Sequence, residues 1–137
     1  MKGLIAKVKT SFLILLSFSI MLLFSFLLPK PGLVGQWSIL NPDGSPSGEY
    51  VDFKADSTYS VALPNGQIGE KGNYLLRDSV FSIKNSKDVC GKGYWGNYKL
   101  NFYGKDSVHL SLIDDTCSER RMDLVGFNPG LKRRSNK

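Results

Sequence analysis

Between Leu33 and Phe127 the hydrophobic residues fall into short runs, and no stretch sustains the 3.6-residue period of an amphipathic helix. In "SVHLSLI" (107–113), Val108, Leu110 and Leu112 share one face of an extended chain, and Ser107, His109 and Ser111 share the other. Segments rich in Val, Ile, Tyr, Phe and Trp, bounded by Gly, Pro, Asn and Asp, predict eight strands. They are "LVGQWSIL" (33–40), "GEYVDFK" (48–54), "STYSVAL" (57–63), "IGEKGNYLL" (68–76), "SVFSIK" (79–84), "YWGNYKLNFY" (94–103), "SVHLSLI" (107–113) and "RRMDLVGF" (120–127). The links "AD" (55–56), "PNG" (64–66), "RD" (77–78) and "GKD" (104–106) are short turn sequences. Parallel strands need crossovers of roughly a dozen residues, so the links predict antiparallel hairpins. Eight short hairpin-linked strands predict an all-β domain, an up-and-down barrel or a small sandwich.

The first 28 residues carry a different pattern. Lys2, Lys7 and Lys9 precede an uncharged run of 18 residues, Ser11–Leu28, long enough to cross a bilayer core as a helix. The lysines place the N-terminus in the cytoplasm and everything after Pro29 outside it. "PKPGLVG" offers no small-x-small cleavage site and no lipobox cysteine, which favours an uncleaved single-pass anchor in the cell envelope over a cleaved signal peptide and secretion. The expected organisation is an anchor or signal segment at 1–28, a barrel at 31–128 and a basic disordered tail at 129–137.

Charge adds little to this picture. The net charge of +6 comes from the ends, because Pro31–Leu131 holds ten Lys and Arg against twelve Asp and Glu. Without a basic face the domain is not expected to bind nucleic acid.

Gly91, Gly93 and Gly96 spell G-x-G-x-x-G, but a hairpin sequence follows, whereas a dinucleotide site needs a helix there. The glycines are expected to let the chain bend or bulge as it enters a strand, and no cofactor is expected. Cys90, Cys117 and the lone His109 are too few for a metal site, and no base stands beside either thiol. Two cysteines in an exported domain are expected to pair, which stabilises by roughly 3 to 4 kcal/mol on the loop-entropy estimate. Asp114 and Asp115 point opposite ways on an extended chain and are expected to be turn formers, not an acid/base pair. No catalytic set can be assembled, and an enzyme is not expected.

"LVGQW", "FKADSTY", "GNY", "GNYKL" and "LIDDTCSER" together resemble the small bacterial lipocalin-like domains, over about Leu33 to Gly126. That resemblance implies an antiparallel eight-stranded up-and-down barrel with apolar side chains inside, behind an N-terminal hydrophobic helix. It also implies that Trp37 plugs one end of the barrel with Arg120, on the last strand, lying across it. A barrel of this size holds one small ligand or is filled by its own side chains.

Two functional readings follow. The first is a binding module for a small apolar or amphipathic ligand, with its lining drawn from Tyr50, Phe53, Tyr59, Tyr74, Phe81, Tyr98 and Phe102. The second is an envelope interaction or inhibitor protein with a filled barrel, which meets a protein partner through loops such as "NPDGSPSG" (41–48). The expected membrane contact is through residues 11–28.

Overall fold

The computed structural model describes residues 32–86, 90, 93–126 and 130–135. The hydrophobic segment expected as an anchor helix, and with it the leader's topology and cleavage, lies outside the described residues.

From Leu33 onward the chain forms a closed all-β barrel. Its strands are β1 (Gly35–Leu40), β2 (Pro46–Phe53), β3 (Thr58–Ala62), β4 (Ile68–Arg77), β5 (Val80–Asn85), β6 (Gly96–Tyr103), β7 (Ser107–Asp114) and β8 (Leu131–Arg133). Each strand pairs antiparallel with the next, and β8 returns to β1 through Trp37↔Arg133 and Ile39↔Leu131. Period-two alternation decides the faces. Val51 and Phe53 on β2, Phe81 and Ile83 on β5, Tyr98 and Leu100 on β6, and Val108 and Leu110 on β7 are buried, with more exposed residues between them.

Local chemistry sets the turns that fix these registers. The Asp56 carboxylate accepts bonds from the Thr58 backbone N–H at 3.0 Å and from its hydroxyl at 2.6 Å, holding the tight link between β2 and β3. Between β4 and β5 the link is Asp78–Ser79, and Asp78 adopts φ 56°, a left-handed conformation that aspartate tolerates better than most residues.

Seven predicted strands are present near their expected limits; the eighth is not where it was expected. Residues 120–127 were predicted to close the barrel, but Ser118–Arg121 form a short helix, α1, that runs into a π-helical turn at Met122–Gly126. The cause is a cap. Asp115 Oδ1 accepts the Cys117 backbone N–H at 2.8 Å, and Cys117 Sγ accepts the Arg120 N–H at 3.4 Å, turning the chain into a helix. Leu124 and Val125 then pack against the core from this turn.

The closing strand is Leu131–Arg133, inside the stretch expected to be a disordered tail. Leu131 is buried, Lys132 is exposed and Arg133 is half-buried, the alternation of a strand in only three residues. The barrel therefore runs past the expected limit at residue 128 to Arg133.

Candidate functional site

Strand direction divides the barrel into two ends. The β1–β2 loop, the β3–β4 hairpin, the chain after β5 and the segment between β7 and β8 share one end, here the upper one. The start of β1, the β6–β7 turn and the end of β8 share the other.

The lower end is filled. Trp37 is fully buried, and its indole N–H donates to the Leu33 carbonyl at 2.7 Å. The cation over its ring is Arg133, with the guanidinium 4.2 Å from the centroid, not Arg120 as the resemblance implied. Arg133 also donates to the Val34 and Lys105 carbonyls at 3.1 and 3.3 Å, tying together the start of β1 and the β6–β7 turn. Arg120 stands beyond the end of β7, at the opposite end of the barrel. At the end of β2, where it pairs with Gly35, Phe53 meets Tyr74 and Phe81 edge-on at centroid distances of 5.0 and 5.7 Å, and the Tyr74 hydroxyl donates to the Lys54 carbonyl at 2.7 Å.

A cavity of about 610 Å³ lies inside the barrel at its upper end and reaches down to Leu33, Phe53 and Phe81. Ile39, Val51, Val61, Ile83, Leu100, Leu110 and Leu131 supply apolar wall from seven strands, and Leu124 covers it from the π-helical turn. Ser47, Glu49, Glu70, Asn85, Arg120 and Asp123 add polar groups, and the exposed Pro42 and Asp123 mark where the cavity meets solvent.

Beside the cavity sits a buried ion pair. Arg120 donates from Nε to Asp115 Oδ2 at 2.6 Å and from Nη2 to Asp115 Oδ1 at 2.7 Å, a bidentate contact with both residues 4% exposed. The Tyr98 hydroxyl also donates to Asp115 Oδ2, and Arg121 Nη1 donates to the Asp115 carbonyl at 3.0 Å. Arg120 Nη1 and the Tyr59 hydroxyl both reach Asn85 Oδ1, at 3.4 and 3.2 Å, which links the pair to the cavity wall. Burial alone raises the Asp115 pKa, but the bonds from Arg120, Tyr98 and the Cys117 N–H outweigh it and hold the carboxyl below its ordinary range. The Asp115 bond raises Arg120 in turn. Burial, followed by the Asp115 bond, pushes the Tyr98 phenol well above its usual value. Burial and the nearby Glu70 charge do the same to Tyr59. Asp115 was expected to be a turn former; its side chain does accept the Cys117 backbone N–H, but it is also the centre of this network.

Gly96, the last glycine of the G-x-G-x-x-G run, faces the pair. A Cβ there would lie 2.1 Å from Asp115 Oδ2 and 2.9 Å from Arg120 Nε, so this position holds glycine because the carboxylate occupies the space of a side chain. Cys90 and Cys117 are joined in a disulfide with Cα atoms 5.2 Å apart, as expected. The bond clamps the start of α1 to the chain that leads into β6.

Of the seven aromatic residues expected as a lining pool, Phe53, Tyr59 and Phe81 line the cavity. Tyr74 and Tyr98 are buried in the core outside it, Phe102 packs on the core, and Tyr50 lies under the Arg134 guanidinium at 4.2 Å. The acidic lining was missed, although a signal for it was present. Glu49 has the parity of the inward Val51 and Phe53 on β2, and Glu70 has that of Gly72 and Tyr74 on β4. His109 is half-buried on β7 opposite Asn101.

No protein-family model matches the chain, and no curated protein does. Among solved structures, the chain is similar to a lipocalin-like protein from Bacteroides uniformis ATCC 8492, at 18% identity and a TM-score of 0.47, over 74% of this chain and 98% of that one. The barrel topology stands on this chain's own pairing, an all-β ring of eight antiparallel strands closed from β8 to β1.

Proposed function

We propose that the protein is an exported, membrane-anchored barrel of the lipocalin-like kind that takes a small apolar or amphipathic molecule into its upper cavity. The observation that carries this reading is the cavity itself. At about 610 Å³ it falls within the roughly 300–1,000 Å³ of small-molecule sites, with mostly apolar walls and a few polar groups gathered at one end. The cavity also weighs against the alternative of a filled barrel that works only through its loops. The Cys90–Cys117 disulfide supports an oxidising compartment outside the cytoplasm, and residues 11–28 supply the anchor. The role is binding, not catalysis. The buried carboxylate Asp115 lies outside the cavity lining with both oxygens already accepting hydrogen bonds.

An apolar fluorescent probe titrated into the protein should bind saturably at one site. Val61→Trp, which fills the cavity from an inward position on β3, should remove that binding while leaving the thermal transition in place. Absence of saturable binding across fatty-acyl and polyaromatic probes, or binding indifferent to Val61→Trp, would overturn the reading.

A further inference from the structure

We propose that Asn85 is the polar anchor of the cavity and selects a ligand with an uncharged carbonyl at one end of an apolar chain, an inference that rests on the ligand-binding reading above. Asn85 follows Phe81 and Ile83 on the inward row of β5, and all three line the cavity. Across the sheet, Tyr59 on β3 pairs with Gly72 on β4, and Gly72 pairs with Asn85. A Cβ on Gly72 would meet the Lys84 carbonyl oxygen at 2.1 Å and Tyr59 Cε1 at 2.8 Å. The bare glycine therefore lets the Tyr59 ring lie over β4 and bring its hydroxyl to Asn85 Oδ1 at 3.2 Å. From the other side, the space left at Gly96, the partner of Ile83, admits Arg120, whose Nη1 reaches the same oxygen at 3.4 Å.

These contacts fix which way the amide faces. A guanidinium only donates, so the atom turned toward Arg120 is the oxygen, and the amide nitrogen turns away from it. Both contacts fall on Oδ1, and Nδ2 makes no hydrogen bond among the described residues. No fully buried side-chain nitrogen or oxygen among them lacks a partner, so this nitrogen has open surface, which on the inward row is cavity wall. The result is a donor held in place by two neighbours and lacking an acceptor. Arg120 is the one cation among the described lining residues, and Asp115 already meets its charge, so the donors come without net positive charge. A carboxylate or phosphate head gains no ion pair from Arg120, and an ammonium head brings only further donors. A bare hydrocarbon leaves the amide N–H groups unsatisfied once water is displaced. An uncharged carbonyl supplies the acceptor with no charge to bury. Its chain runs down the same row against Ile83 and Phe81, with Leu100 beside them on β6.

Competitive photolabelling of the full-length protein tests this, in vesicles of a diether phosphatidylcholine, which has no carbonyl of its own. The probe is a tridecane chain carrying a diazirine, and labelling is read only on peptides from residues 33–135, which separates the barrel from the hydrophobic segment. The competitors are methyl undecyl ketone and tridecane, and the preference is the ratio of their half-displacing concentrations. Partitioning into the bilayer is common to all variants and cancels when they are compared. Asn85→Asp keeps an acceptor for Tyr59 and Arg120 but loses both amide donors, and it should lower the preference for the ketone at least about fivefold, the size of one hydrogen bond. The uncharged Asn85→Ala should lower it in the same direction. A second measurement needs only the wild type: the C=O stretch of isotope-labelled ketone, read as the difference between vesicles with and without protein, should lie lower than in tridecane solution, as for a carbonyl that accepts a hydrogen bond. A preference equal in wild type and both variants, or a bound C=O stretch at its hydrocarbon value, overturns the role of Asn85 alone. Absence of barrel labelling overturns it together with the ligand-binding reading.

Discussion

At Gly96 a single hydrogen atom stands where a methyl group would meet a buried carboxylate. Gly96→Ala must push Asp115 away from Arg120, and displacing one partner of a buried ion pair costs about 3 to 5 kcal/mol. A fall in chemical-denaturation stability of that size, matched by Asp115→Asn, is the expected result. The same pair imposes a pH dependence. The folded-state pKa of Asp115 lies below the unfolded value of 3.8, so its contribution is complete above about pH 4 and is lost as pH falls through the folded value. The stability difference between the wild type and Asp115→Asn should therefore be constant from neutral pH down to about pH 5 and contract below pH 4. Tyr98 and Tyr59 act at the other extreme, because both phenols titrate higher folded than unfolded. Their contribution is present below the ordinary tyrosine value of about 10 and declines as pH rises above it. Denaturation followed from pH 8 to 12 should lose stability above about pH 10, and less so in Tyr98→Phe.

Among the elements, β8 and the π-helical turn that follows α1 share the work of closing the barrel, one by pairing and one by covering its upper end. Arg133 contributes through Trp37 as well as through the ladder. A double-mutant cycle of Trp37→Phe and Arg133→Gln should give a coupling of about 0.5 to 2 kcal/mol, whereas Trp37→Phe with Arg120→Gln should be additive. The disulfide spans 27 residues and fixes the start of α1, so Cys90→Ala/Cys117→Ala should lose roughly 3 to 4 kcal/mol on the loop-entropy estimate. These elements also show why the chain's pattern was legible in some places and not in others. β1 to β7 carry several inward apolar residues each, and alternation marks them in the sequence. β8 has one inward aliphatic residue, Leu131, followed by Lys132 and Arg133, and its pairing depends on where β1 and β7 stand in space, which local pattern does not encode. "RRMDLVGF" holds Met, Leu and Val in a strand-like mix, but the cap at Asp115 and Cys117 directs the preceding residues into a helix.

For the molecule as a whole, the barrel divides its interior between a filled end and an open one. Trp37 and the Phe53–Tyr74–Phe81 cluster supply the core, and the cavity is where the proposed ligand would sit. Which aromatic residues line that site was only partly legible. Side-chain parity distinguishes inside from outside, yet height along a tilted strand decides between core and cavity, and height is a property of the register. The acids Glu49 and Glu70 were legible by parity alone, as charged residues in inward rows. The measurement that tests the account most directly is methyl NMR of the isoleucines with an apolar ligand added. Ile39 and Ile83 line the cavity, while Ile68 and Ile113 are exposed on the barrel surface. The account predicts saturable shifts at Ile39 and Ile83 with Ile68 and Ile113 unmoved; shifts confined to the exposed pair, or none at Ile39 and Ile83 under saturating ligand, would contradict it.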